Sequence, residues 1–258
     1  MRGQRGPGVE RRTRQVLAAP NRLRREIGGW LNEATAPTPF LDLGCGPGML
    51  LAAAAAENRV GIGIDVSMVW LVAAQRLIRS YGGEPVLAAG FAEALPLPDE
   101  SLGGVVSLDV VEHVGDQITF LKEIDRVTAR GGVFALATPN RFSVAAEPHV
   151  HVWGVGLVPR RWQRRYAEWW SGSSYAFTRL LSTWEMRAMI RRHTGFSPQL
   201  QVPPIPPEEI AASSPRRAVL ARLYNGVIRF RVARAMALAT GPFFRVAARK
   251  GAMPARLS

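Results

Sequence analysis

The stretch LDLGCGPG, residues 41–48, places Asp42 two residues ahead of three glycines, Gly44, Gly46 and Gly48, where an apolar run gives way to the helix-like MLLAAAAAEN. Glycines at this spacing permit positive φ and bring backbone close to a ligand, while the amides opening the next helix offer donors. A dinucleotide turn would carry G-x-G-x-x-G instead. A pyrophosphate about 6 Å from Asp42 would also meet repulsion of roughly 2–3 kcal/mol at an effective dielectric of about 20. The turn therefore suits a ligand that carries positive charge.

Two further groups could do chemistry. DVVEHV sets Asp109, Glu112 and His113 within five residues, and EPHVHVW sets Glu147, His149, His151 and Trp153 at alternate positions, which an extended segment would carry on one side. Glu112 with His113 could help bind a divalent metal, but two adjacent ligands alone do not make a site, and no metal is expected. The single cysteine, Cys45, excludes an intrachain disulfide and a multi-cysteine zinc site, and reads as a small packing residue at the glycine turn.

Short apolar runs alternate with helical stretches from residue 39: PFLDL, then 48–57; VGIGI, then 67–81; PVLAA, then a loop; GGVVSL, then 114–129; GGVFALA. Within 114–129, Ile118, Leu121, Ile124 and Val127 fall at the three-to-four spacing of one buried face, and Gly131-Gly132 is expected to end that helix. Beyond ATPN come an aromatic and arginine-rich stretch, a helix near 182–193, strand-like FSPQLQV, a break at PPIPP, a helical region over 208–238 and a closing strand PFFRVAARK. The pattern predicts an α/β fold: a doubly wound, mostly parallel seven-stranded sheet with helices on both faces and a helical insertion before the last strand. In such a sheet ligands bind outside the carboxyl ends of the strands, near the first strand-to-helix turn. LDLGCGPG lies there.

Charge divides the chain by segment. Residues 1–30 carry eight arginines against two acids, 31–140 six bases against thirteen acids, and 141–258 nineteen bases against five acids, within a formal net charge of +13. The segment with the glycine turn is thus acidic, which weakens a simple nucleic-acid reading. Residues 1–36 are expected to form a basic tail and helix ahead of one domain over 37–258, and MRGQRGPGVERRTRQ lacks the apolar stretch of a signal peptide. No transmembrane helix is expected: AMALATGPFF, residues 235–244, is about half a span and is interrupted by Gly241-Pro242. The protein is expected to be cytoplasmic, with peripheral contact to an anionic membrane as the alternative.

LDLGCGPG resembles the first motif of the class I S-adenosylmethionine-dependent methyltransferases, and further pieces over roughly residues 38–140 follow in that family's order: GIGIDVS, AEALPLPDESLGGVVSLDVVEHV and FLKEIDRVTARGGVFALATPN. EHV and TPNR are similar to the ubiquinone-biosynthesis O-methyltransferase branch. The resemblance implies S-adenosylmethionine as cofactor, held by Asp42, Gly44, Cys45, Gly46, Gly48, Asp65, Val66, Phe91, Ala92 and Leu108. Asp65, 21 residues beyond Gly44, would take the ribose hydroxyls. The family usually has an aspartate where AGFAEALP has Phe91, so altered adenine contacts are expected.

On that resemblance, His113 is the leading candidate for a base that takes an acceptor's proton, with a structural histidine as the alternative. Asp109, Glu112, Asn140, His149, His151 and Trp153 are the candidate acceptor contacts, and residues 141–170 the candidate substrate lid. In 208–238 the apolar Val219, Leu220, Leu223, Val227 and Phe230 are mixed with arginines, a pattern expected by default to pack on the domain, with an anionic membrane or an acidic partner as the alternatives. The expected partner is a small-molecule or lipid-linked acceptor methylated at oxygen. An RNA methyltransferase using the basic flanks, and a catalytically degenerate cofactor-binding protein, are the alternatives.

Overall fold

The computed structural model describes residues 39–202, 204–205 and 207–251. The expected basic tail and helix over 1–36 lie outside the described residues. Seven strands form one sheet: β1 (Phe40–Leu43), β2 (Gly61–Asp65), β3 (Val86–Ala89), β4 (Leu102–Leu108), β5 (Thr128–Pro139), β6 (Phe196–Gln201) and β7 (Phe243–Lys250). Their order is β3-β2-β1-β4-β5-β7-β6, and only the pairings of β7 with β5 and β6 are antiparallel. The chain winds outward from β1 to β3 and then back across to β4. The direction therefore reverses between β1 and β4, the point where open α/β sheets bind ligands.

Covered on both faces, central strands read as apolar runs rather than alternating ones, as in FLDL of β1, buried at all four positions. Alternation survives in which face each residue serves. Leu41, Leu43, Val105, Phe134 and Leu136 join one core, while Phe40, Val106 and Ala135 join the other. The first core is closed by α3 (Gln117–Val127) and α5 (Thr183–His193), the second by α1 (Met49–Ala55) and α2 (Met68–Ser80). A fully buried side chain such as Phe120 or Phe134 contributes about 1.5–3 kcal/mol relative to exposure.

Helix ends are chemically marked. Asp116 caps α3 by accepting from the amides of Ile118 and Thr119, and Ser182 with Glu185 forms a capping box on α5. The helix expected to run to Gly131-Gly132 stops at Val127, and β5 begins at once and carries the glycine pair inside it. The pairing shifts register there, from Leu102–Thr128 to Gly104–Val133, so the glycines serve a strand irregularity. In α3 itself Phe120 is buried and Ile118 only half-buried.

The insertion between β6 and β7 is three helices rather than one region: α6 (Pro207–Ala211), α7 (Pro215–Val227) and α8 (Arg231–Thr240). Pro215 at the first turn of α7 separates it from α6, since its ring cannot continue a helix already running. The inward face of α7 is Ala218 and Ala221 against Ile210 and Ile205. The apolar Val219, Leu220, Leu223, Val227 and Phe230 instead point to solvent, which corrects the expectation that they pack on the domain. An unforeseen helix, α4 (Arg160–Ser171), follows the short 3-10 turn Val155–Leu157 and buries Ala167 against Val150, Val152, Val155 and Tyr175. Among the described residues no helix is long and apolar enough to cross a membrane.

Candidate functional site

A cleft of about 1630 Å³ opens at the carboxyl ends of β1, β2 and β4. Asp42, Gly44, Cys45, Gly46, Asp65, Val66, Phe91, Ala92, Leu108, Asp109 and His113 all line it. The turn after β1 is fixed by backbone: the amides of Gly44 and Cys45 both donate to the Ile64 carbonyl. Gly44 sits at φ 74°, and a Cβ there would lie 2.2 Å from Val110 Cγ2. Gly48, at φ 75°, opens α1 and would clash with Ala74 at 2.7 Å, so it lets α1 approach α2 and does not line the cleft.

Asp65 links this turn to the next strand. Its Oδ2 accepts from the Gly46 amide at 2.9 Å and its Oδ1 from the Ser67 amide at 2.8 Å, the latter at the start of α2. Each carboxylate oxygen keeps a further acceptor site for a ligand hydroxyl. Asp42 is 5 % exposed. Burial, with the charge of Asp65 adding to it, pushes its carboxyl up to about 7, so near neutral pH a cation beside it would complete its ionisation. The Cys45 thiol is raised by burial and by the two aspartates, which makes it a packing residue rather than a nucleophile.

Phe91 stands 69 % exposed on the loop after β3, where it lines the cleft. That loop is anchored to α3: Glu123 accepts from the Leu95 amide, and Arg126 donates to Glu123, Asp99 and the carbonyls of Leu95 and Leu97. Glu93 accepts from the Gly115 amide, tying the same loop to the turn after β4.

The rim after β4 differs from what the sequence suggests. Asp109 adopts a left-handed φ of 56° and faces the cleft, as does His113. Glu112 turns inward: it is 1 % exposed, its Oε2 accepts from the Thr138 hydroxyl at 3.0 Å, and burial pushes its carboxyl up to about 7. It is not a direct acceptor contact. His113 Nδ1 lies 3.2 Å from the Phe177 carbonyl, and the His149 ring meets the His113 ring edge-on at 4.7 Å.

The expected extended run through Glu147, His149, His151 and Trp153 is a tight turn. The buried Glu147 carboxylate gathers the amides of His149 and Val150, and the His151 amide donates to the Glu147 carbonyl while His151 takes φ 56°. The turn leaves His151 and Trp153 outside the cleft, with the Trp153 indole donating to the Val144 carbonyl. Asn140 is likewise no acceptor contact. It is buried, and its side-chain nitrogen donates to the Leu238 and Ala239 carbonyls, fastening β5 to α8. Residues 141–170 approach the cleft through His149 alone, and none of them lines it. The facing wall is built instead by Pro204, Ile205 and Tyr224 of the insertion and by Phe243 and Arg245 of β7.

A family model described as a methyltransferase domain matches residues 41–136, the segment that builds the glycine turn, Asp65 and the rim. Residues 41–136 form a class I S-adenosylmethionine-dependent methyltransferase domain. A protein named as a probable S-adenosylmethionine-dependent methyltransferase of Mycolicibacterium smegmatis is 39% identical over 105 residues, 40% of this chain and 38% of that one. A ubiquinone biosynthesis O-methyltransferase of Brucella anthropi is 27% identical over 165 residues, 62% of each chain. The chain thus spans about two-fifths of the length of the mycobacterial relatives it matches. A crystal structure of an S-adenosylmethionine-dependent methyltransferase from Mesorhizobium loti shares the fold, with TM-score 0.58 at 19% identity over 88% of this chain and 96% of that one.

S-adenosylmethionine is the cofactor of this methyltransferase domain, and the residues present fit it. A buried carboxylate raised by desolvation, a second carboxylate with acceptor capacity left at the end of β2, and a glycine turn in which Gly46 has nothing within 4 Å of its Cβ position make room for a cationic adenosyl ligand. Sequence reasoning missed Tyr224, Phe243 and Arg245, which lie more than 110 residues beyond the rim; only the position of an insertion before the last strand hinted that something far along the chain would wall the cleft.

Proposed function

We propose that the protein transfers a methyl group from S-adenosylmethionine to the oxygen of a small-molecule or lipid-linked acceptor. One observation carries this: the Asp42 and Asp65 carboxylates and the His113 imidazole lie on the walls of a single cleft, a cation-binding end and a proton-accepting end together. The bound cofactor supplies an already electrophilic methyl on a sulfonium. Asp65 takes the ribose hydroxyls, Asp42 faces the positive charge, and Gly44 to Gly46 run beneath the ligand with Cys45 packed behind. Val66, Phe91, Ala92 and Leu108 enclose the adenine, with Phe91 offering stacking where the family has an acceptor carboxylate. Alignment of acceptor and methyl by the cleft walls is worth roughly 7–11 kcal/mol, against about 3–5 for a general base.

His113 serves the proton. A carbonyl only accepts, so its Nδ1 carries the hydrogen toward Phe177 and its Nε2 keeps the lone pair. Burial first, and the neighbouring His149 in addition, hold its pKa below the usual histidine value, so the ring is neutral at pH 7 and able to take the acceptor's proton at Nε2.

A lipid-linked acceptor is supported by the insertion that walls the cleft. Tyr224 on α7 lines the cleft, while the outer side of α7 and α8 exposes Leu220, Leu223, Phe230, Val232 and Met236 among Arg222, Arg229, Arg231 and Arg234. No aspartate or glutamate occurs from residue 210 to 258, so this ridge suits an anionic lipid surface. The reading is tested by incubating the protein with methyl-labelled cofactor and a cell extract separated into lipid, small-molecule, RNA and protein fractions. Label is expected in the lipid or small-molecule fraction as an alkali-stable methyl ether; label confined to RNA or protein contradicts it.

A further inference from the structure

The charge lining the cleft changes sign across the sheet. Asp42, Asp65, Glu93 and Asp109 stand on or after β1 to β4, while Arg245 on β7 is the one lysine or arginine among the described residues that line the cleft. In the sheet order β7 lies two strands beyond β4. Phe244 and Val246 of β7 are fully buried in one core, so Phe243 and Arg245 project from the other face, into the cleft. Register sets Leu108, Ala137 and Arg245 in one row across β4, β5 and β7. With strands about 4.8 Å apart, the Arg245 backbone is roughly 10 Å from that of Leu108, and Ala137 between them raises only a methyl group.

A fixed wall closes this end of the cleft. Asn225 on α7 accepts from the Ile205 amide at 2.9 Å through Oδ1 and donates to the Ile205 carbonyl at 2.8 Å through Nδ2, which fastens the segment after β6 to the helix. Ile205 and Tyr224, the residue before Asn225, both line the cleft together with Pro204 and Phe243.

We propose that the β7 end of the cleft is a subsite for an anionic group of the acceptor, a carboxylate or a phosphate, held by Arg245 with the Tyr224 hydroxyl as a second donor. The planar fork of a guanidinium matches either oxyanion and keeps its charge at any working pH. Leu108, Ile205 and Phe243 flank an apolar body between the two ends of the acceptor. With the cleft read as that of a methyltransferase, on which this rests, the acceptor is a compact molecule whose methylated hydroxyl meets His113 beside β4 and whose anion lies about 10 Å or less away, beside β7. The reverse orientation sets the anion against the carboxylates of the donor end, so the change of sign across the cleft also fixes which end of the acceptor receives the methyl group.

The test is calorimetric titration of the full-length protein, saturated with S-adenosylhomocysteine, with para-hydroxyphenylacetate, para-hydroxyphenyl phosphate and the neutral para-hydroxyphenylacetamide. One of the two anions is expected to bind at least about tenfold more tightly than the amide, and which of them does so tells carboxylate from phosphate. Arg245→Gln should weaken that anion about 10- to 150-fold, the range for hydrogen bonds to a charged group, and shift the amide less than about threefold. Arg245→Lys keeps the charge and loses the fork, so its affinity should fall between the two. Arg249→Gln removes an equal charge from the same strand outside the cleft, where Arg249 donates to the Gly131 carbonyl, and should leave the preference unchanged. Tyr224→Phe deletes only a hydroxyl and should weaken the anion at least about threefold, which keeps the test valid where Arg245→Gln disturbs the sheet. Equal affinity for anion and amide, no binding of either anion, or a preference that survives both Arg245→Gln and Tyr224→Phe overturns the proposal. Binding of S-adenosylhomocysteine itself separates the two readings: its failure to bind the wild type sinks the methyltransferase reading, whereas adenosyl binding without an anion preference sinks this one alone.

Discussion

Replacing His113 by alanine is expected to lower single-turnover methyl transfer about 10²–10⁴-fold, the usual contribution of a positioned acid-base group, while changing cofactor affinity less than about threefold. The geometry sets this split. His113 lines the cleft from the turn after β4, and the contacts that fix its ring come from Phe177 and His149 rather than from the glycine turn or Asp65. Its loss therefore removes chemistry at the acceptor and leaves the donor end intact. Rapid quench with labelled cofactor and a working acceptor measures the rate, and calorimetry measures the affinity. A turnover within about threefold of wild type would make His113 a structural rim residue.

Asp65→Ala should act on the opposite quantity. Loss of a carboxylate that hydrogen-bonds a ligand costs roughly 1.5–3 kcal/mol, a 10- to 150-fold weaker dissociation constant. Part of the effect passes through the protein, because the same carboxylate holds the Gly46 and Ser67 amides and so ties the glycine turn to the start of α2. Asp65→Asn separates the parts. Its one carbonyl oxygen still accepts, so it should bind the cofactor better than alanine and worse than wild type. A thermal melt run in parallel reports the structural share. An unchanged dissociation constant in Asp65→Ala, with only the melt lowered, would assign Asp65 to helix capping alone.

Which parts of this molecule were legible follows from physics rather than luck. Central strands buried on both faces leave apolar runs such as FLDL and GGVVSL that no solvent-facing segment would show, while the outer β6 was read from the alternation in FSPQLQ. The donor end was readable for a related reason: a turn needing positive φ at Gly44, Gly46 and Gly48 leaves glycines in the sequence, and the carboxylates lie at the ends of recognisable strands. The acceptor end depends on tertiary placement, which has no local signature. Glu112 and His113 are neighbours in DVVEHV, yet one is sealed inside and the other faces the cleft. The alternation in EPHVHVW imitates an extended segment, and only the Glu147 carboxylate collecting local amides folds it into a turn. Helix α7 shows the same limit, since its small residues Ala218 and Ala221 seek the interior while its large apolar ones face out.

The sequence motif also hid an aspect of Asp42. As a formal charge it would repel phosphate, but burial lifts its carboxyl to about 7, so it is half-protonated near neutrality and its charge grows as pH rises. The ionised form favours a cationic ligand, and its affinity should accordingly be lost as pH falls through 7.

Calorimetric titration of the wild-type protein with S-adenosylmethionine and, separately, with NAD decides whether the glycine turn holds a cationic adenosyl ligand. Stoichiometric binding of S-adenosylmethionine is expected, roughly tenfold weaker at pH 6 than at pH 8 with the difference abolished in Asp42→Asn, and no heat from NAD. Heat from NAD with none from S-adenosylmethionine would contradict this assignment of the turn.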